Sequence, residues 1–446
     1  MKICKIIIKD FHQFKDFELD LTHPETGEPL DKVCFIGSNG TGKTKTLKII
    51  DTLLNPTGKS KYLLYCKVIT VDRELFWIVL SKDNRFIFSS EIEKLEDWQT
   101  RISRDVEYTE TLIYKSNVLD PALVKYLILD KNIIEQVSPD LQIYVPSETE
   151  NNQFIELSDV PITNVDEALR MFQDFPVYNI VSNETISDFW KTLIYYLKKR
   201  ENDFQNFQNL EENQSQTVRM VRLKFNQQNP DILKEIAIVW DSILSKAGLE
   251  FDVSGASNPI QLTDNLKAYI KLKSTGKHIN YSELSTGIRN FIFKVGHIYS
   301  LYFTRDITRG LLLIDEPENS LFPDFLYELV DIYKSIIFDT QIFMATHNPI
   351  IAAQFEPYER FILEFDDHGY VKARRGTVPV GDDPNDILSK DFGVRSLLGK
   401  EGVKKWERYI ELRTLIRLTQ DAEEKSRLLD EFIKIGNEYN FSNALS

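Results

Sequence analysis

The chain has 446 residues, 42% hydrophobic, 12% aromatic and 27% charged, a balance that excludes a disordered or fibrous protein and predicts two or three packed lobes. Its 54 basic and 68 acidic residues leave a formal net charge of −14, so the molecule as a whole repels phosphate backbones and nucleic-acid contact would need a local basic groove. The three cysteines, Cys4, Cys34 and Cys66, show no C-x-x-C spacing, which predicts neither a disulfide framework nor a zinc site and fits a reducing cytoplasm. Lysines interrupt the apolar N-terminus and no run approaches the ~20 apolar residues of a membrane span. The expectation is a cytoplasmic protein with no membrane partner.

In chain order, residues 2–8 and 15–21 read as two strands of an antiparallel hairpin, the second alternating Phe14, Phe17, Leu19 and Leu21. A third apolar run, Val33–Ile36, stops at a glycine-rich loop, and Thr46–Leu54 then has helical spacing. From Tyr62 to Val145 β-rich runs recur, among them Leu75–Leu80, Arg85–Phe88 and Leu141–Val145, which predict an outer sheet of the first lobe. Asp166 to Ala247 is rich in helix formers and reads as an inserted helical arm, whose aromatic stripe Phe189, Tyr196, Phe204, Phe207 is read as helix packing rather than as a base-stacking platform. A second lobe carries strands at Leu311–Ile314 and Gln341–Met344 around a helix at Pro323 to Phe338, then a hairpin over Arg360–Phe365 and Tyr370–Arg374. The tail is helical, at Lys400 to Gln420 and Ala422 to Glu438. The expected division is 1–165, a first lobe with the glycine loop and a β subdomain; 166–271, the arm; 272–390, the second lobe; and 391–446, the tail.

The loop Gly37-Ser38-Asn39-Gly40-Thr41-Gly42-Lys43-Thr44 fits G-x-x-x-x-G-K-[ST] and stands where that pattern has mechanical meaning, after a strand and opening a helix. Glycines let backbone N–H groups turn inward around phosphates, the helix start adds its positive dipole end, Lys43 neutralises phosphate charge and the Thr44 hydroxyl is placed to ligate Mg²⁺. The matching half is Leu311-Leu-Leu-Ile-Asp315-Glu316: a buried strand delivers Asp315 to Mg²⁺ and sets Glu316 beside the γ-phosphate, where it can orient and deprotonate water. ATP and Mg²⁺ are the implied ligands.

Two further pieces are Glu283-Leu-Ser285-Thr-Gly287, ahead of a helical stretch, and Met344-Ala-Thr-His347-Asn-Pro349 after the next strand. In this order the motifs resemble those of the ABC-type ATPases, more closely their SMC- and RecF-like branch, and among these the stand-alone bacterial ATPases of anti-phage systems of the OLD, Septu or PARIS kind. The resemblance implies an α/β fold: an ATPase head with a P-loop α/β core, an antiparallel β subdomain and an inserted helical arm. It further implies that Ser285 and Gly287 bind nucleotide held by a partner protomer, that His347 is a switch contacting the γ-phosphate from the side of Glu316, and that Asn319 lies in the loop after the acids. The arginine that often follows the phenylalanine of the N-terminal strand is replaced here by His12. The glutamine that reads Mg²⁺ in such proteins has three candidates, Gln136, Gln142 and Gln153.

The leading expectation is an ATPase whose heads dimerise around ATP and act as a switch or scaffold for a separate effector, a nuclease or toxin. The alternative is a DNA-repair clamp of RecF type. Its basic residues, Lys198-Lys199-Arg200 with Arg219, Arg222 and Lys224, are mixed with Glu201, Asp203, Glu211 and Glu212 and read as a solvated helical face. Six histidines form no metal-ligand spacing, Asp366-Asp367-His368-Gly369 reads as a hairpin turn, and no nuclease centre is expected.

Overall fold

A computed structural model of the chain describes residues 2–51, 64–69, 74–81, 84–89, 141–147, 178–181, 200, 202–229, 238, 240–241, 244–252, 270–279, 283–303, 309–319, 321–337, 339–394 and 396–441. The chain divides into two compact units, Met1–Gly381 and Asp382–Ser446. The second starts upstream of the expected residue 391.

The first unit opens with β1 (Lys2–Phe11) and β2 (Phe14–Asp20), followed by β3 (Lys32–Gly37) and α1 (Lys43–Asp51). Then come β4 (Leu64–Ile69), β5 (Glu74–Ser81), β6 (Asn84–Ser89), β7 (Leu141–Val145), β8 (Tyr178–Ile180) and α2 (Val218–Gln228). A small antiparallel sheet of β9 (Leu249–Phe251), β10 (Ile270–Leu272) and β11 (His278–Ile279) precedes α3 (Thr286–Phe303) and β12 (Arg309–Asp315). Helices α4 (Pro323–Leu326) and α5 (Leu329–Ser335) lead to β13 (Asp339–Ala345), α6 (Pro349–Ala352) and the hairpin β14 (Arg360–Phe365), β15 (Val371–Arg375).

The described strands build a seven-stranded sheet in the order β15-β14-β3-β13-β12-β7-β8, parallel except for β15. Its inner strands are apolar on both faces: Val33 to Ile36 and Leu311 to Ile314 are buried almost completely, as expected for parallel strands covered on two sides. The antiparallel sheet β2-β1-β4-β5-β6 behaves differently, with β2 alternating Phe14, Phe17 and Leu19 inward against exposed neighbours. The two sheets share one apolar core, in which Ile3, Ile6 and Ile8 meet Val33, Phe35 and Phe343. A buried side chain fastens them: Gln341 Oε1 accepts from the Ile3 N–H (2.7 Å), and its Nε2 donates to the carbonyls of Ile3 (3.0 Å) and Leu30 (2.7 Å).

Three expectations are corrected. Leu141–Val145 is no outer-sheet strand; β7 runs parallel to β12, Gly310 to Ile314 beside Leu141 to Val145, and Gln142 to Val145 are all buried, as in a strand covered on both faces. The stretch 166–271 is not uniformly helical, since β8 extends the central sheet and β9 and β10 form the small one. The helix at Pro323 to Phe338 is broken between Leu326 and Leu329, where Glu328 leaves helical geometry (φ −111, ψ 0).

In the arm, Phe204, Val221 and Phe225 are buried together with Phe207 against them, so the described half of the aromatic stripe packs; Phe189 and Tyr196 lie outside the described residues. Three of its basic residues are engaged within the arm: Arg222 stacks over Phe204 (3.8 Å), Arg200 donates to Asn226 Oδ1 (2.7 Å) and Lys224 to Asn213 Oδ1 (3.3 Å); Arg219 is exposed, and Lys198 and Lys199 lie outside the described residues.

The second unit holds α7 (Lys400–Leu418) and α8 (Ala422–Tyr439), packed through Tyr409, Leu412, Ile435 and Phe441. Among the tail's apolar residues, Leu412, Leu428 and Phe432 pack between the helices, while Leu429 and Ile433 are exposed. No described helix is long and apolar enough to cross a membrane.

Candidate nucleotide site

Parallel register places the chemistry. Asp315 pairs with Ala345, Ala345 with Phe35, and Ile314 with Val145, so β3, β13, β12 and β7 end level with one another. Their C-terminal ends carry the glycine loop, Thr346-His347, Asp315-Glu316 and Ser147 respectively, the edge at which parallel α/β sheets bind ligands.

The loop's glycines are demanded by close approach. A Cβ on Gly37 (φ +148) would stand 2.2 Å from the Leu363 carbonyl oxygen, and one on Gly42 (φ +96) 2.6 Å from Phe14 Cζ. Thr41 Oγ1 donates to the Ser38 carbonyl (2.8 Å), and the Thr46 N–H donates to the Gly42 carbonyl (2.7 Å), closing the turn into α1. Ser38, Asn39 and Gly40 are exposed at its rim. Gln13 braces it from the β1–β2 turn, donating to the Gly40 carbonyl (3.3 Å) and accepting from Lys45 Nζ (2.9 Å).

Lys43 is buried, and its ammonium donates to the carbonyls of Gly37 (2.9 Å) and Ser38 (3.2 Å). Burial pulls it below the usual lysine range against the opposing pull of Glu316, Asp315 and Glu318. Thr44 Oγ1 donates to Asp315 Oδ1 at 3.0 Å, which brings the two expected metal ligands together. Burial raises the Asp315 carboxyl, while the hydroxyls of Thr44 and Ser147 favour its ionised form. Its Oδ2 is buried without a hydrogen-bond partner among the described residues. An orphaned carboxylate oxygen beside a hydroxyl fits Mg²⁺, which takes one or two protein oxygens and completes its shell with phosphate and water. Thr44 and Asp315 would hold it.

Glu316 stands at φ 47, a left-handed conformation that costs a side-chain-bearing residue ~1–2 kcal/mol. Its N–H donates to the Ala345 carbonyl (2.8 Å), so the chain turns sharply out of β12 with the carboxylate half exposed. His347 Nε2 lies 3.7 Å from Glu316 Oε1, and Asn319 Nδ2 donates to Glu316 Oε2 (3.3 Å). Burial, and next the Lys43 charge, lower the His347 pKa against the attraction of Glu316, which favours the neutral ring, a donor at one nitrogen and an acceptor at the other.

The expected residues therefore meet in two groups, Lys43, Thr44 and Asp315 on one side and Glu316, Asn319 and His347 on the other. Ser285 and Gly287 join neither: no hydrogen bond or ion pair among the described residues links them to the loop or the acids. Ser285 is exposed at the start of α3, with its Oγ near the Ile288 N–H (3.4 Å). Of the glutamine candidates, Gln142 is buried in β7 and donates to the Asp51 carbonyl (2.6 Å) and Oδ1 (2.9 Å), holding the end of α1; Gln136 and Gln153 lie outside the described residues. Sequence reasoning missed Ser147, whose hydroxyl acts on Asp315 and whose carbonyl accepts from Asn319 Nδ2 (3.1 Å). Seating Leu141–Val145 beside the Asp315 strand would have revealed it.

A protein-family model described as "AAA ATPase domain" matches residues 1–352. Comparison with curated proteins finds no match. Among solved structures, the SMC head bound to the C-terminal winged-helix domain of ScpA is similar at 11% identity and TM-score 0.43, covering 85% of this chain and 99% of that one. The SMC head domain from Thermotoga maritima is similar at 11% identity and TM-score 0.41, covering 85% and 100%. An SMC head with an extended coiled coil, bound to the C-terminal domain of ScpA from Pyrococcus furiosus, is similar at 11% and 0.41, covering 84% and 96%.

Proposed function

The chain belongs to the AAA ATPase domain family, and from that premise we propose that it binds ATP between the glycine loop and the acid pair, hydrolyses it, and uses the cycle to switch a separate effector. The observation that carries the reading is the convergence of Thr44 on Asp315 and of His347 and Asn319 on Glu316. Lys43 and the loop N–H groups bind the phosphates. Thr44 and Asp315 would hold Mg²⁺, which would supply charge neutralisation on the transferred group. Glu316 orients and deprotonates the attacking water, Asn319 fixes its carboxylate, and His347 donates to the γ-phosphate oxygens.

Ser285, exposed at the start of α3, and the buried Gly287 beside it act on nucleotide held by a second copy, so that two chains close around two ATP molecules. The effector is a nuclease or toxin, and the setting is cytoplasmic anti-phage defence. The engagement of Arg200, Arg222 and Lys224 within the arm weighs against the alternative of a DNA clamp.

The reading is tested by two substitutions measured for ATP binding and turnover. Lys43→Ala should abolish binding, whereas Glu316→Gln should keep it and lower turnover by about 10²–10⁴-fold. Equal turnover in Glu316→Gln and the unaltered chain would overturn it.

A further inference from the structure

Glu318 is the one acid of the Asp315-to-Asn319 segment that the chemistry above leaves unused, and its side chain is nevertheless the better anchored. Its Oε1 accepts twice, from Thr346 Oγ1 (2.7 Å) and from the His347 N–H (2.9 Å). Thr346, fully buried, passes the order on: its Oγ1 accepts from the Asn348 N–H (2.9 Å), and Asn348 Oδ1 accepts from the Ile350 N–H (2.9 Å) at the start of α6. The Thr346 N–H donates to the Phe35 carbonyl (3.1 Å), tying the same turn to β3. The turn that presents His347 is thus held by one carboxylate oxygen of the neighbouring loop as well as by β3.

That arrangement is costly as mere packing. Glu318 Oε2 is buried with no hydrogen-bond partner among the described residues, and burial raises the carboxyl's pKa against the bonds from Thr346 and His347. A buried, half-satisfied acid is poor stabilisation compared with an apolar residue of similar size. What the acid does supply is an acceptor that reaches two donors of the next loop at once, the loop whose His347 Nε2 lies 3.7 Å from Glu316 Oε1.

We propose that Glu318 is a positioning residue for hydrolysis: it holds the Thr346–Asn348 turn so that His347 stands beside Glu316, coupling the loop after β12 to the loop after β13. The inference rests on the nucleotide-site reading above. It makes Glu318 act through His347, and not on the phosphates.

The test is a double-mutant cycle on the full chain, measuring the ATP dissociation constant and kcat for Glu318→Ala, His347→Ala and both together. Glu318→Ala should leave ATP affinity within about twofold and lower kcat by about 10–100-fold. Combined with His347→Ala it should add nothing, because its target is gone. Glu318→Gln, whose amide carbonyl can accept both bonds, should restore kcat to within about threefold of the unaltered chain. Where Glu318→Ala fails to fold, Thr346→Val removes one of the two bonds with little change of shape, and its smaller loss of kcat should likewise vanish in the His347→Ala background. Losses that multiply in the double variant, no rescue by glutamine, or an unchanged kcat in Glu318→Ala would overturn the proposal while leaving the Lys43 and Glu316 results intact. Full turnover in His347→Ala would overturn it together with the switch role of that histidine.

Discussion

The nucleotide site and the C-terminal helix pair obey opposite rules. At the site, local preference is violated repeatedly: Glu316 is left-handed, Lys43 and Asp315 are buried, and carboxylate oxygens of Asp315 and Glu318 lack partners among the described residues. In the helix pair local preference is obeyed. Asp421 caps α8 through the N–H groups of Glu423 (2.8 Å) and Glu424 (3.1 Å), and Asn440 ends it at φ 58, a position asparagine tolerates. Arg408 forks onto both oxygens of Glu431 (2.9 and 3.0 Å), and Tyr409 stacks on Phe432 with ring centroids 4.1 Å apart. The left-handed Glu316 and the unpartnered oxygens of Asp315 and Glu318 lie where the proposed chemistry needs them, whereas the helix pair follows its local preferences.

The sharpest way to break that comparison is Glu316→Gly. Glycine adopts φ 47 freely, so the substitution should lower turnover by about 10³-fold or more while raising the stability of the first unit by ~1 kcal/mol. Denaturation of the nucleotide-free protein, followed by a probe in that unit, checks it. A loss of stability would mean that the left-handed turn stores no strain and that Glu316 is held by favourable contacts.

In the helix pair the expectation reverses. Leu412 is fully buried between α7 and α8, so Leu412→Ala should destabilise that unit by about 2–5 kcal/mol and leave ATP turnover unchanged. Hydrogen exchange resolved along α7 and α8, measured beside ATPase activity, separates the two effects. On the proposed function, the exposed Leu429 and Ile433 are available for contact with an effector. Loss of effector association without loss of ATPase after deletion of residues 422–446 would support that use, and loss of both would assign the tail to the protein's own stability.

What was legible in the sequence follows the same division. Elements whose signals are local came through: the β1–β2 hairpin, the strand-loop-helix around Lys43, the acid pair ending β12, the β14–β15 hairpin and both tail helices. Elements whose identity depends on a distant partner did not. Leu141–Val145 has the composition of many strands, and only its pairing with Gly310–Ile314 distinguishes the central sheet from the outer one. Ser147 and the role of Glu318 escaped for the same reason, since a serine after a strand and a third acid after an acid pair carry no pattern of their own. Gln142 shows the reverse case, a residue type suited to the metal site that parallel register buries beneath α1.

The finest distinction lies between two helix starts. Asp421 begins α8 with two well-formed bonds, and Asp421→Ala should weaken protection of the first turn of α8 by about 1 kcal/mol in hydrogen exchange. Ser285 stands at the equivalent place before α3, yet the bond its Oγ accepts from the Ile288 N–H is long, 3.4 Å, at the outer limit of useful geometry. Ser285→Ala should therefore cost α3 at most a few tenths of a kcal/mol, far less than the loss of the Asp421 cap. On the proposed function it should still impair turnover, because there the serine would act on nucleotide held by a second copy. If Ser285→Ala instead frayed α3 as much as Asp421→Ala frays α8 and left turnover intact, Ser285 would be an ordinary helix cap, and the closure of two chains around shared nucleotide would lose its support.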